Sequence, residues 1–195
     1  MIQSITFAKE LFCFKVGDSY DFKPLTLLVG DQGCGKSTIL NLLGKQGMYG
    51  STQMVNIEVG KNDNGFIHHD FEMASHRTNT SGPNPYSPDY NDQLIRMIDS
   101  KSMSHGEATK VSFEDFDRIE TDILILDEPD MSLSMRSVHM LVEHVKRWID
   151  SGKQVILSCH HPYLIEAFDE VLSLEHKQWM SSKEFIESHN LKMDL

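Results

Sequence analysis

The stretch from Leu25 to Lys45 constrains this chain more than any other. Leu25–Val29 is an apolar run broken only by Thr26, the pattern of a strand buried on both faces of a sheet. It leads into Gly30-Asp31-Gln32-Gly33-Cys34-Gly35-Lys36-Ser37, which matches the phosphate-loop pattern G-x-x-x-x-G-K-S/T in full. Ser37–Lys45 then places Ile39, Leu40, Leu42 and Leu43 on one side of a helix that Gly47 stops. Each part has a physical role. Glycines tolerate φ > 0, so successive N–H groups turn inward toward phosphate oxygens. The helix adds the partial positive charge of its N-terminus. Lys36 supplies a point charge for the β- and γ-phosphates, Ser37 an oxygen for Mg²⁺, and Thr38 is placed to reach the α-phosphate. The whole run from Gly30 to Thr38 (Gly30, Asp31, Gln32, Gly33, Cys34, Gly35, Lys36, Ser37, Thr38) is therefore a predicted nucleotide contact. The dinucleotide fingerprint G-x-G-x-x-G fails, because Thr38 stands where its third glycine belongs.

A second apolar run, Ile123-Leu124-Ile125-Leu126, ends in Asp127-Glu128-Pro129. In an open parallel sheet the ligand lies beyond the carboxyl ends of the strands. Asp127 is then a predicted member of the metal shell, and Glu128 is placed to orient or deprotonate a water. Pro129 prevents continuation of the strand.

Further along, strands and helices alternate. Residues 4–16 read as two short strands around Ala8–Glu10, and Met54–Val59 and Phe66–Phe71 flank Asn64-Gly65 as a hairpin. Thr78–Pro88 reads as a loop, Asp89–Ser100 and Gly106–Ile119 as helices. Ser134–Asp150 carries Met135, Val138, Leu141, Val142, Val145, Trp148 and Ile149 at helical spacing. Val155–Ser158 and Val171–Leu174 read as strands, Tyr163–Phe168 as a short helix, and Ser181 with Glu184 as a capping box that opens the last helix. The expected fold is α/β: a mostly parallel sheet flanked by helices, with a small antiparallel subdomain.

Composition removes several classes. At 195 residues, 39% apolar and 24% charged, the chain reads as one globular domain. No apolar run approaches the ~18–20 residues of a membrane span. Met1–Glu10 lacks a secretion pattern, and three cysteines (Cys13, Cys34, Cys159) make no disulfide framework, so a cytoplasmic location is expected. A net charge of −11 argues against coating nucleic acid by bulk electrostatics. His68, His69, His139 and His144 make no convincing metal set.

Asp127-Glu128-Pro129 after an apolar strand resembles the second Walker motif of ABC-type ATPases. Met103-Ser104-His105-Gly106-Glu107 is similar to that family's Leu-Ser-Gly-Gly-Gln signature, with His105 in place of the first glycine, and Cys159-His160-His161-Pro162 resembles its switch-histidine segment. The order of the motifs is the family's, and together they span most of the chain. The form of the signature looks more like soluble members in DNA repair, chromosome maintenance and phage or plasmid defence than like transporters.

The resemblance implies one ABC-type domain over residues 1–195, with a helical signature-bearing insertion over about residues 72–120. It implies a head-to-tail dimer that sandwiches ATP and Mg²⁺, with Ser104 and the Gly106 N–H touching the γ-phosphate in trans. His160 would bond the γ-phosphate and hold the lytic water, His161 being the lesser choice. Met131-Ser132-Leu133-Ser134 occupies the D-loop position, where Ser134 replaces the usual aspartate and is equally placed to cap a helix. No glutamine stands at the Q-loop position; Asp70-Phe71-Glu72 is there, with Asp70 or Glu72 as candidates for metal or water and Arg77 as a candidate phosphate ligand. Phe12, Phe14, Tyr20 and Phe22 are open alternatives for stacking on adenine. Cys34, at a helix N-terminus that lowers thiol pKa, is either a tolerated small residue or a redox switch. The implied activity is slow ATP hydrolysis, with Lys36, Glu128 and His160 as the catalytic set. It would drive a conformational switch for an effector protein in a nucleic-acid or defence machine, any contact with nucleic acid being indirect. Two alternatives remain: the nucleotide-binding subunit of a membrane transporter, which calls for the missing glutamine, and a small-molecule kinase, which calls for an arginine-rich lid.

Overall fold

The structure is a computed structural model that describes residues 1–46, 53–61, 64–71, 105–131 and 133–191. In chain order its elements are β1 (Ile2–Phe7), β2 (Ser19–Asp21), β3 (Leu25–Val29), α1 (Lys36–Gln46), β4 (Val55–Val59), β5 (Phe66–Asp70), α2 (His105–Arg118), β6 (Ile123–Asp127), α3 (Met135–Asp150), β7 (Gln154–Ser158), α4 (Pro162–Glu166), β8 (Glu170–Ser173), β9 (Gln178–Ser181) and α5 (Ser182–Leu191). They form a six-stranded sheet of order β5-β6-β7-β3-β8-β9 and a three-stranded sheet of order β2-β1-β4. The large sheet is parallel except at its β8–β9 edge, and the small one is antiparallel.

The apolar runs sort themselves by the period of two that a pleated strand imposes. Leu27, Val29, Leu124, Leu126, Val155 and Leu157 face one side, where α3 covers them with Val138, Leu141, Val142, Val145 and Trp148. Leu28, Ile123, Ile125 and Ile156 face the other, against Ile39, Leu40 and Leu43 of α1 and Ile2, Ile5, Phe7, Val55 and Ile57 of the small sheet. Both faces are covered, which is why the middle positions of these strands are mostly apolar. Gln154 fastens the two sheets. Its side chain, 1% exposed, accepts from the Ile2 N–H at 2.7 Å and donates to the Ile2 carbonyl at 2.8 Å.

The expected hairpin at Asn64-Gly65 does not form. β4 pairs with β1 in the small sheet, and β5 pairs in parallel with β6 in the large one. Asn64 instead bonds Asp122, with its backbone N–H at 3.1 Å and its side chain at 2.9 Å, which fixes the start of β5 beside β6. The two strands expected within residues 4–16 are also corrected: one strand covers Ile2–Phe7, and the second begins only at Ser19. β9, unforeseen, closes the edge of the large sheet. The capping box forms, Ser181 Oγ donating to Glu184 Oε2 at 2.8 Å. The helix expected at 89–100 and the loop at 78–88 lie outside the described residues, as does most of the proposed insertion before α2.

α2 is tied to α3 through Asp117. Its carboxylate accepts from Trp148 Nε1 at 2.6 Å and Arg147 at 3.2 Å, and meets His144 Nδ1 at 3.2 Å. Burial pushes the Asp117 carboxyl up, but the bonds from His144 and Trp148 and the Arg147 charge outweigh it and hold it below its ordinary value. A depressed folded-state pKa stabilises the fold above the unfolded value, and that contribution fades as pH falls through the folded one. Asp117→Asn is expected to cost about 1.5–3 kcal/mol at pH 7, the range for a hydrogen bond to a charged group. Urea titrations should show the gap from wild type closing below about pH 4, the carboxylate reference value; an unchanged gap at acid pH would rule this account out.

Candidate functional site

β3 ends at Val29 and α1 starts at Lys36, so Gly30–Gly35 forms the turn between them. Gly30 has φ 138° and Gly35 φ 101°, values that side chains resist. Space forbids them as well: a Cβ on Gly30 would lie 2.9 Å from Cys34 Sγ, and one on Gly35 would lie 2.4 Å from the Phe14 ring. Lys36 is 5% exposed and folds back into the loop, its Nζ donating to the Gly30 carbonyl at 2.8 Å and the Asp31 carbonyl at 3.0 Å. The ammonium thus lies within the ring of backbone on which a phosphate would rest. Burial pushes the Cys34 thiol up, and the nearby Lys36 offsets that only in part.

The carboxyl ends of β6 and β7 meet this loop. Ser37 Oγ donates to Asp127 Oδ1 at 3.2 Å, and Ser158 Oγ donates to the same oxygen at 2.6 Å. Ser158 also accepts the Glu128 N–H at 2.8 Å. Glu128 has φ 51°, a left-handed conformation that costs a non-glycine residue about 1–3 kcal/mol. That twist turns its side chain back over the sheet edge, where Glu128 Oε1 meets His160 Nε2 at 3.1 Å. Hydroxyl and carboxylate oxygens are the hard donors Mg²⁺ prefers, so Ser37 and Asp127 fit that ion, which would neutralise phosphate charge. Asp70 ends β5 in register with Asp127, the residue beside it on the next strand.

A cleft of about 430 Å³ joins these parts, lined by Gly30, Asp31, Gln32, Glu128, Cys159 and His160, with Phe185 and His189 of α5 along its other side. His189 Nε2 lies 3.5 Å from Asp31 and 3.6 Å from Glu175, so the last helix reaches the phosphate loop. The turn Leu11–Phe14 abuts the same loop. Cys13 Sγ donates to the Cys34 carbonyl at 3.1 Å, and the two ends of the turn bond each other at 2.9 and 3.1 Å. Phe14, Tyr20 and Phe22 are buried in the second core, whereas Phe12 is 88% exposed at φ 52°.

The sequence-derived residues Gly30 to Thr38, Asp127, Glu128 and His160 thus come together. Gly106 lies in the first turn of α2. Met103, Ser104, Glu72, Arg77 and Ser132 lie outside the described residues. Ser134 caps α3, accepting from the Ser137 N–H at 3.3 Å. His161 caps α4. Sequence reasoning missed Ser158 as a site residue. Its signal was a hydroxyl ending an otherwise apolar strand, which is unremarkable until that strand is known to lie beside β6.

A two-sided parallel sheet thus carries a glycine loop on its central strand, paired carboxylates on the next strand but one and a histidine on the strand between. Two solved structures of ABC proteins share this fold. One, described as an inward-facing conformation of an ABC transporter of metal-chelate type, aligns at TM-score 0.59 with 22% identity, covering 97% of this chain and 86% of that one. The other is an ATP-binding cassette in a dimeric post-hydrolysis state bound to ADP and Pi, at TM-score 0.58 with 14% identity, covering 93% and 96%. No protein-family model matches the chain. Among curated proteins it is 35% identical over 74 residues to Protein white of Drosophila melanogaster, 37% of this chain and 11% of that one. It is 24% identical over 190 residues to ABC transporter G family member 9 of Dictyostelium discoideum, 77% of this chain and 13% of that one. It is 25% identical over 190 residues to the cobalt import ATP-binding protein CbiO of Salmonella typhimurium, 82% of this chain and 70% of that one. The chain therefore spans only a small share of the first relatives it matches. No helix among the described residues is long and apolar enough to cross a membrane.

Proposed function

We propose that this chain binds ATP with Mg²⁺ and hydrolyses it to ADP and phosphate, and that two copies close head to tail around the nucleotide. The observation that carries the reading is the Glu128–His160 contact of 3.1 Å at the mouth of the phosphate loop. A carboxylate and an imidazole there can hold a water between them and the γ-phosphate. Lys36 and the loop N–H groups take up charge as the terminal bond breaks, Glu128 accepts the water's proton, and His160 steadies the transferring group. Asp70, beside Asp127, takes the place of the missing glutamine and orders water near the metal. Ser104 and the Gly106 N–H complete the site from the other copy. Phosphate release from ATP by the purified chain tests this directly; no release, with no ATP retained by Glu128→Gln, would overturn it.

Phe12 supplies the adenine platform. It alone of the four candidate aromatics is exposed, on a turn fastened to the phosphate loop. Stacking on a base is worth about 1–3 kcal/mol, so Phe12→Ala should raise the KM for ATP roughly 5- to 100-fold with kcat nearly unchanged. An unchanged KM in an ATP titration would remove Phe12 from the site.

The dimer acts in the cytoplasm as a switch for a separate effector, in a nucleic-acid-processing or defence-related assembly. Support comes from Asp70-Phe71-Glu72 where transporter subunits carry glutamine. A second reading, the ATP-binding subunit of a membrane transporter, is favoured by the named relatives, which include an import ATP-binding protein. Stimulation of hydrolysis by a co-isolated non-membrane partner that binds nucleic acid supports the first reading; co-isolation with an integral membrane subunit supports the second.

A further inference from the structure

Asp130 follows Pro129 just past the twin carboxylates, in the turn after β6. It is 7% exposed, and its Oδ2 accepts two backbone N–H bonds, from His160 at 2.8 Å and His161 at 2.7 Å. Its Oδ1 is buried and has no hydrogen-bond partner among the described residues. A buried carboxylate is costly unless its bonds are strong, and these two are in the short, charge-assisted range. They do not serve as the cap of α4. That helix begins at Pro162, and its cap is His161, whose own ring accepts from the Tyr163 N–H. Asp130 acts instead on the segment before the helix, which carries His160.

We propose that Asp130 is the positioning residue of the hydrolytic step: it laces the end of β6 to the end of β7 so that the His160 ring stands against Glu128. The geometry is a three-point lock. The Glu128 N–H bonds Ser158 of β7, Asp130 bonds the two N–H groups after Cys159, and the side chains of Glu128 and His160 meet at 3.1 Å between them. Without Asp130 the turn at His160 loses two hydrogen bonds to the end of β6, and the ring loses its fixed approach. Catalysis is sensitive to such placement; an ångström of misplacement costs about 100-fold. Nucleotide binding, made chiefly by the phosphate loop and Phe12, does not pass through Asp130.

This inference rests on the hydrolytic reading above, and the test separates the two. Steady-state ATP hydrolysis is measured for wild type, Asp130→Ala, Asp130→Asn, His160→Ala and the double variant Asp130→Ala with His160→Ala, each checked for folding by its melting curve. Asp130→Ala should lose about 10- to 100-fold in kcat with KM for ATP within about threefold. Asp130→Asn, whose amide oxygen still accepts both N–H groups, should recover part of the loss. The double variant should be no slower than His160→Ala alone, because residues that act as a unit are not additive. A merely structural role would instead multiply the two losses, and that result, or wild-type kcat in both Asp130 variants, would overturn the proposal. Where Asp130→Ala does not fold, the Asn variant carries the same cycle. Absence of hydrolysis in the wild type would overturn the parent reading and this one together.

Discussion

Glu128→Gln is expected to lower kcat for ATP hydrolysis by about 100- to 10,000-fold, the range for removing a general base, while ATP remains bound. The amide keeps the shape of the side chain and loses its ability to take a proton. The Ser37–Asp127 pair, the Lys36 ammonium and the Ser158 bond to the Glu128 N–H do not involve the altered group. Ground-state affinity should therefore survive, and the sandwich should accumulate because the step that opens it is blocked. Size-exclusion chromatography with ATP and Mg²⁺ should show a dimer that vanishes when nucleotide is removed. A monomer under saturating ATP would count against two copies sharing the nucleotide. Rapid hydrolysis by this variant would place the base elsewhere.

Lys36→Ala should have the opposite signature. At 5% exposure, with carbonyl partners in its own loop, the ammonium sits where, on the proposed reading, phosphate charge would be neutralised. Removing it leaves the loop's N–H groups to hold the triphosphate without a full positive charge in a chain of net charge −11. Loss of activity should be about 100-fold or more, as for other electrostatic groups at a transition state. Affinity should fall with it, and no nucleotide-dependent dimer should form even when Glu128→Gln is added. Calorimetric titration with a non-hydrolysed ATP analogue reads this directly; wild-type affinity would mean that the loop does not hold phosphate.

The residues behind both predictions are legible in the sequence. Gly30 to Ser37 and Asp127-Glu128 announce themselves in the sequence because their chemistry is local. A glycine turn needs its glycines at fixed spacing, and carboxylates at the end of a buried strand need the apolar run before them. The central strands of the large sheet were legible for the same reason, since strands buried on both faces read as nearly continuous apolar runs. The hairpin at Asn64-Gly65 misled because turn propensity is also local, whereas pairing is not: Phe66–Asp70 gains more from the buried edge beside β6 than from a two-strand ribbon. β9 carries no such signal, being short and mixed, and exists because β8 offers it an edge.

Long-range placement governs the remainder of the site. Four aromatics near the N-terminus were equivalent in sequence, and only packing of Phe14 and Tyr20 against Phe7 left Phe12 outside on its turn. Cys34 stands at a helix N-terminus, which by itself lowers a thiol's pKa, yet burial moves it the other way. Ser158 and Asp130 are unremarkable residues until the sheet brings β6 and β7 side by side.

By itself, then, the amino-acid order determined that a glycine loop and a pair of acids would sit at the carboxyl ends of buried strands, because those elements rest on local conformation and on burial. The tertiary structure alone decided which polar groups meet across strands: Asp70 in register with Asp127, Ser158 on Asp127, and Asp130 holding His160 against Glu128. The physical reason is that hydrogen bonds between residues far apart in sequence depend on strand order, and strand order is set by the competition of whole apolar faces for burial rather than by any one residue's preference.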